Sequence, residues 1–286
     1  MMMIDHVGRD LRYGWRGLWR SRAFAATTVA TLAVGLALVS VVFTIFNAYV
    51  LRPFAVRDPY SLHAVAWRSR EAGGRTFRWN DYRALRERTD LFDGVVAERT
   101  RFVATEGGRT AVSFVSGDYF QVVGARVHLG RAVAEFDARV PGGAPAAVLS
   151  EQGWTRLFDR DPAVLGRSLM LNGQPFVVVG VMGAEFAGLD DSPRDLWVPI
   201  TMYPDVVKQD LFGPAQTRDV TITVRLRSGI SADQVQAALA PFIARALERT
   251  DDPRAEINPQ ATPAPFSLDL LALLSPVFAA FLLVLV

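Results

Sequence analysis

The 286-residue chain has no cysteine and a single lysine, Lys208. Without cysteine there are no disulfides and no thiolate metal centres, which suits an oxidising compartment or a chain that never uses disulfides. With no lysine behind a glycine-rich turn there is no phosphate-cradling loop, so ATP, if it drives this protein, binds to another subunit. The three histidines, His6, His63 and His128, are isolated from one another and from any second ligand at metal spacing. Each reads as a surface or packing residue. No serine lies in a G-x-S-x-G elbow, and Gly180 and Gly183 form no dinucleotide fingerprint. The acidic pairs Asp190-Asp191 and Asp251-Asp252 sit among Ser, Pro and Gly and read as solvated turns. Gly117-Asp118-Tyr119-Phe120 reads as an Asx-type turn before an aromatic core anchor. The chain is therefore expected not to be an enzyme, and to hold neither cofactor nor metal itself.

Charge is missing as well, from Ala23 to Leu51, between Arg22 and Arg52. As a helix this stretch reaches about 43 Å, longer than the bilayer's hydrocarbon core of about 30 Å. A cleaved secretory signal needs a shorter apolar region, of about 7–15 residues, and a small-x-small site. Phe46-Asn47-Ala48 lacks the first small residue. The stretch at 23–51 therefore predicts a retained first span. By the positive-inside rule the arginines before it leave residues 1–22 in the cytoplasm and send the main domain across. The outer end, around Phe46 to Leu51, is expected to stand clear of the bilayer as a stiff lever.

Within residues 1–22, Val7, Leu11, Trp15 and Leu18 share one helical face and the arginines another, which predicts an amphipathic interfacial helix. Its membrane-interface residues are Arg9, Arg12, Trp15, Arg16, Trp19, Arg20 and Arg22. This segment carries net +3, leaving −1 for the rest of a chain whose total is +2. The basic end suits anionic lipid headgroups, and the near-neutral remainder offers no track for nucleic acid. Leu270 to Val286 is again uncharged and ends inside an apolar run, which reads as a second span, from about 268 to 286, cut short.

Between the spans the chain reads as mixed α and β. Strands are predicted at 62–68, 146–149 and 220–227. Helices are predicted at 80–88, capped by Asn80 or Asp81, and after Ser150, which caps a helix holding Trp154, Leu157 and Phe158. Val95–Ala104 and Thr110–Val115 read as a hairpin turning at Gly107-Gly108. Residues 167–171 and 174–181 form another around Asn172-Gly173, the strongest two-residue hairpin signal. In the strand at 220–227, Val220, Ile222, Val224 and Leu226 point one way, and Thr221, Thr223, Arg225 and Arg227 the other. The Ser231-Ala-Asp-Gln234 capping box opens a long helix with Val235, Leu239, Phe242 and Leu247 inward, which Pro241 should kink or shorten. From Thr250 to Pro265 the composition predicts a linker back towards the membrane.

The order of motifs resembles the FtsX/MacB-like permeases of ABC transporters, most closely the long duplicated orphan permeases with a MacB-type periplasmic core domain. The segments that carry it are DLRYGWRGLWRSRAF (10–24), LRPF (51–54), DPYSL (58–62), FRWNDYRALR (77–86), VSGDYFQVVG (115–124), VLSEQGWTRLF (148–158), DPAVLGRSLMLNGQPFVVVGVM (161–182), DLWVPI (195–200) and RLRSGIS (225–231). One departure is Gly35-Leu-Ala-Leu-Val-Ser40, where such permeases usually carry a polar Gly-Ala-Asn-like break. The resemblance implies a bacterial inner-membrane protein with an α+β extracytoplasmic domain, at about 52–265, between transmembrane helices. It implies a porter-like lobe, at about 57–125 plus 215–262, and an inserted β-rich lobe at about 126–214. It also implies an ABC ATPase on the cytoplasmic side, a homo- or heterodimer of permease subunits, and a periplasmic adaptor. The function it points to is export or mechanotransmission. A two-span receptor with an extracytoplasmic sensor domain shares the hydropathy pattern, and a membrane-anchored periplasmic enzyme is the third class.

Overall fold

The computed structural model describes residues 21–47, 54–189, 192–214, 216–247 and 253–260. The chain divides into two compact units, residues 1–52 with 266–286, and residues 53–265. In the first, helix α1 (Arg22–Phe46) is long and apolar enough to cross a membrane. Its hydroxyls turn back onto its own backbone, Thr27 and Thr28 onto the Phe24 carbonyl, Thr31 onto Thr27 and Thr44 onto Ser40. Polar side chains are thereby satisfied within the helix, as hydrocarbon requires, while Phe24, Val29, Leu36 and Phe43 face outward. The basic amphipathic segment from Arg9 to Arg20, the lever end at 48–51 and the second apolar stretch lie outside the described residues.

The second unit follows in chain order. Strands β1 (Leu62–Arg68), β2 (Gly73–Gly74) and β3 (Thr76–Phe77) lead to α2 (Trp79–Arg86). The long hairpin β4 (Phe92–Thr105) and β5 (Gly108–Val115) precedes the short helix α3 (Tyr119–Val123) and β6 (Val127–Gly130). Next come β7 (Ala146–Leu149), α4 (Glu151–Phe158), β8 (Ser168–Leu171), β9 (Gln174–Met182), β10 (Leu196–Pro199) and α5 (Tyr203–Val207). Finally β11 (Val220–Leu226), α6 (Ala232–Leu247) and β12 (Arg254–Pro259) complete the unit.

Among the described residues all twelve strands belong to one sheet, ordered β12-β1-β11-β4-β5-β10-β7-β9-β6, with β2 added to β1, β3 to β11 and β8 to β9. The pairs β5/β10 and β7/β9 are parallel and the rest antiparallel. Because side chains alternate along a strand, the sheet has two buried faces. One carries Val65, Phe114, Leu149, Leu196 and Val224 under α2, α4 and α6. The other carries Leu62, Val96, Val115, Val148 and Trp197 under α3.

Several sequence expectations need correction. The predicted linker contains β12, which pairs with β1 from His63↔Pro259 to Arg68↔Arg254. Ala255 and Ile257 are its only inward apolar residues, too short an alternation to stand out among Pro, Asp and Asn. The cap of α2 is Arg78, whose amide donates to Asp81 Oδ2 at 2.8 Å, so Asp81 sits at the third helical position. The β4–β5 turn is Glu106-Gly107, since Thr105 pairs with Gly108. Helix α6 runs six residues past Pro241, which lies on its exposed side; it buries Ile243 as well as the expected Val235, Leu239 and Leu247, and Phe242 packs half-buried against the same core. The capping box itself forms, with Ser231 N to Gln234 Oε1 at 2.9 Å and Gln234 N to Ser231 Oγ at 3.3 Å. Asn172 and Gly173 both adopt positive φ, as their hairpin demands.

Candidate functional site: where the chain enters and leaves the domain

The chain enters the second unit through residues 54–61, continues as β1, and leaves it after β12. These two strands are neighbours, and the Gln260 amide donates to the Leu62 carbonyl at 2.9 Å. The first and last described strands of this unit therefore lie side by side at one end of the sheet, next to β11.

Arg225 of β11 stands opposite Leu62 on one side and Gly94 on the other. Alternation placed it on the polar face of the strand, and that face is covered. Arg225 is only 6% exposed and Thr223 9%. The guanidinium Nε donates to the Val122 carbonyl at 3.0 Å. One terminal nitrogen donates to the same oxygen at 2.9 Å, to Arg57 O at 2.6 Å and to Val123 O at 3.3 Å. The other donates to Asp58 O at 3.0 Å and to the Ser61 hydroxyl. A planar fork of donors thus ties the incoming segment 57–61 to the C-terminal end of α3.

Two glycines make the geometry possible. A Cβ on Gly94 would meet the Val122 side chain at 2.7 Å, so the bare backbone lets α3 settle onto the sheet and bring its carbonyls to Arg225. Gly124 has φ of 73° and ends α3 in the left-handed region. A Cβ there would meet Arg57 Cβ at 2.5 Å. Arg57 N also donates to Val123 O at 3.2 Å. Burial lowers the pKa of Arg225, as does the charge of Arg57, while Asp58 and Asp93 act in the opposite sense. The cation is held by backbone carbonyls, which cost little to align because the chain must satisfy them anyway.

Beside this clamp lies a cleft of about 380 Å³ lined by Asp58, Ser61, His63, Asp93, Arg225 and Arg227. His63 is 8% exposed and its Nδ1, 3.2 Å from the Ser61 carbonyl, must be the donor there. Burial lowers its pKa. His128 packs against Trp154, with ring centroids 5.9 Å apart. Among the described residues no three His, Asp or Glu side chains come together as a metal site. Ser150 accepts from Gly153 N at 2.9 Å as the cap of α4. Asp118 makes no capping bond and instead faces Arg86 at 3.4 Å, although Tyr119 and Phe120 are the buried anchors expected. Lys208 ends α5 with φ of 60°. Arg22 opens α1; Arg9, Arg12, Trp15, Arg16, Trp19, Arg20, His6 and both acidic pairs lie outside the described residues. The residues that join these segments, Arg225, Thr223 and Gln260, had no local signal beyond two polar side chains in a strand with unusually strict alternation.

Residues 25–242 match the profile of the MacB-like periplasmic core domain. Among relatives, the macrolide export ATP-binding/permease protein MacB of Burkholderia pseudomallei strain 1710b is 30% identical over 141 residues, 49% of this chain and 20% of the relative. MacB of Burkholderia thailandensis matches to the same extent. The chain spans about a fifth of the length of these curated relatives. The extracellular domain of the noncanonic ABC-type transporter YknZ from Gram-positive bacteria superposes with a TM-score of 0.52 at 18% identity, over 68% of this chain and 99% of that one. The periplasmic region of MacB from Actinobacillus actinomycetemcomitans gives 0.52 at 16%, over 68% and 88%. A domain of a permease protein from Porphyromonas gingivalis gives 0.55 at 15%, over 76% and 98%. The fold is thus that of ABC permease extracytoplasmic domains, and the chain belongs to the MacB-like periplasmic core domain family.

Proposed function

We propose that this chain is part of an ABC permease subunit that couples ATP hydrolysis on a partner protein to movement of a domain outside the membrane. The observation that carries the reading is the pairing of β1 with β12 next to Arg225, which brings the first and last described segments of the domain to one end of the sheet. A domain hung in this way follows its two spans as a body. The arginines before α1 favour a cytoplasmic N-terminus and a periplasmic domain, and Arg9, Arg12, Trp15, Arg16, Trp19, Arg20 and Arg22 would seat the first helix at the inner bilayer surface. An ATPase on the cytoplasmic side would then supply the nucleotide site, with a second permease subunit completing a homo- or heterodimer and a periplasmic adaptor as an outer partner. The lobes would fall at about 57–125 plus 215–262 and about 126–214; strands β6 to β10, all from the second range, form one end of the sheet.

The test uses the full-length permease with its ATPase in nanodiscs, with a fluorophore at exposed Phe102 on the β4–β5 hairpin. Addition of ATP should shift the probe's signal, and a hydrolysis-dead ATPase should abolish cycling of that shift. An unchanged signal during active hydrolysis would sink the coupling.

A further inference from the structure

Arg225 and Gln260 stand close together at this end of the sheet, yet their hydrogen bonds run to different parts of the fold. Those of Arg225 end on the incoming segment and on α3. The Gln260 side chain, 9% exposed, reaches the loop after β9 instead. Its Nε2 donates to the Leu189 carbonyl at 2.6 Å, and its Oε1 accepts from the Thr223 hydroxyl at 3.0 Å. Chemistry fixes this orientation, because a carbonyl can only accept and so must face the amide nitrogen. Leu189 is buried in the same cluster as Phe186 and Trp197, whose rings stack 5.4 Å apart. Displacement of the chain after residue 260 therefore reaches the loop at 183–189 through one buried amide. Displacement before residue 57 reaches α3 through the Arg225 guanidinium and, beside it, the Arg57 amide on the Val123 carbonyl, and only the guanidinium also carries it to β11 by a side chain.

We propose that these are two separate couplings: Arg225 passes movement of the incoming segment to α3, and Gln260 passes movement of the outgoing chain to the 183–189 loop. Resting on the permease reading above, this makes the domain a sensor of relative sliding between its two spans. Equal motion of both moves every tethered part together and strains nothing. Unequal motion shifts the loop at 183–189 against α3 across the aromatic cluster they share. Both residues are positioning residues that act through backbone carbonyls.

Hydrogen exchange on the full-length permease, read by mass spectrometry, separates the two. Gln260→Glu keeps the acceptor for Thr223 but turns an oxygen towards the Leu189 carbonyl. Gln260→Leu removes both bonds without adding charge, as a second route should the buried carboxylate disturb folding. Without ATPase, either variant should speed exchange of the Phe186 and Arg194 amides, which close this loop, by about tenfold. Exchange at 119–124 should stay at the parent rate. With ATPase and ATP, the nucleotide-dependent change at 183–195 should vanish while that at 57–62 and 119–124 persists. Arg225→Lys should give the converse, and Thr223→Val, which spares the Leu189 bond, should respond as the parent does. Parent-like exchange at 183–195 in both Gln260 variants overturns the proposal. If the static effects appear but the parent shows no nucleotide response anywhere, the permease reading fails and the coupling proposal falls with it.

Discussion

The two faces of the sheet are built for different ends. One is broad and mainly aliphatic, closed by three helices that bury residues such as Leu85, Phe158 and Leu239. The other is smaller and aromatic, with Tyr119, Phe120, Phe186 and Trp197 in edge-to-face and stacked contact. Into its border run buried polar groups: Arg225 bonds the incoming segment and α3, Thr223 bonds Gln260, and Gln260 bonds the loop after β9. Aliphatic burial is non-directional and supplies stability, whereas a hydrogen-bonded polar side chain fixes one partner in one place. Both faces bury apolar side chains, and the small face adds directional hydrogen bonds at its border.

Truncation breaks this comparison most sharply. Leu239→Ala on the broad face and Trp197→Ala on the small one should each cost about 3 kcal/mol or more, since both side chains are fully buried. In urea melts they should look alike. In hydrogen exchange they should not. Trp197→Ala should deprotect 183–189 and 119–124 together, because its ring contacts Phe186 and Phe120, while Leu239→Ala should leave both segments at parent rates under native conditions. Equal local deprotection by the two variants would erase the distinction between the faces.

A smaller effect follows for the polar border. Arg225→Met takes the guanidinium away from the carbonyls of Arg57 and Val122, while the Asp58 carbonyl keeps the Ser61 amide and hydroxyl as donors, and should cost about 2 kcal/mol. Arg227→Met, two positions along the same strand and bonded only to the Thr89 carbonyl from an exposed position, should cost under about 1 kcal/mol. Comparable losses for the two in chemical denaturation would mean that Arg225 is only another surface arginine.

Much of the fold was legible because its signals are local. Asn172-Gly173, the Ser150 cap and the Ser231–Gln234 box each depend on a handful of neighbouring residues, and each forms. The strict alternation of β11 gave the right inward set. What it could not give was the fate of the other face, since burial of Thr223 and Arg225 depends on α3, on residues 57–61 and on Gln260, all remote in sequence. The parallel pairings β5/β10 and β7/β9 were hidden for the same reason. Gln260 was hidden twice, by distance and by a Pro- and Asp-rich stretch whose composition speaks for a linker. Hence the elements of the site were readable one by one, and their meeting was not.

Acid should act through His63, on β1 beside the crossing. Its pKa lies below the ordinary 6.5, chiefly because burial penalises the charged ring, with the Ser61 carbonyl opposing. The unfolded chain therefore takes up a proton before the folded one does. Stability is fully present above pH 6.5, falls as the pH drops from there towards the lower folded value, and levels off beneath it. Denaturation midpoints measured between pH 7.5 and 5 should decline over that window in the parent and stay flatter in His63→Gln.

A change of similarly small size is expected on the broad face. Ser150 accepts from Gly153 N at 2.9 Å and donates to the Asp195 carbonyl at 3.1 Å, so it both caps α4 and ties it to β10. Ser150→Ala removes both bonds and should cost about 1 kcal/mol. Because α4 covers the aliphatic side, the loss should appear in global stability alone, with exchange at 57–62 and 183–189 unchanged and, in the assembled permease, ATP-dependent movement at Phe102 intact. A cap that lowered coupling more than stability would show that the broad face also carries the signal, and the division between the two faces would have to be abandoned.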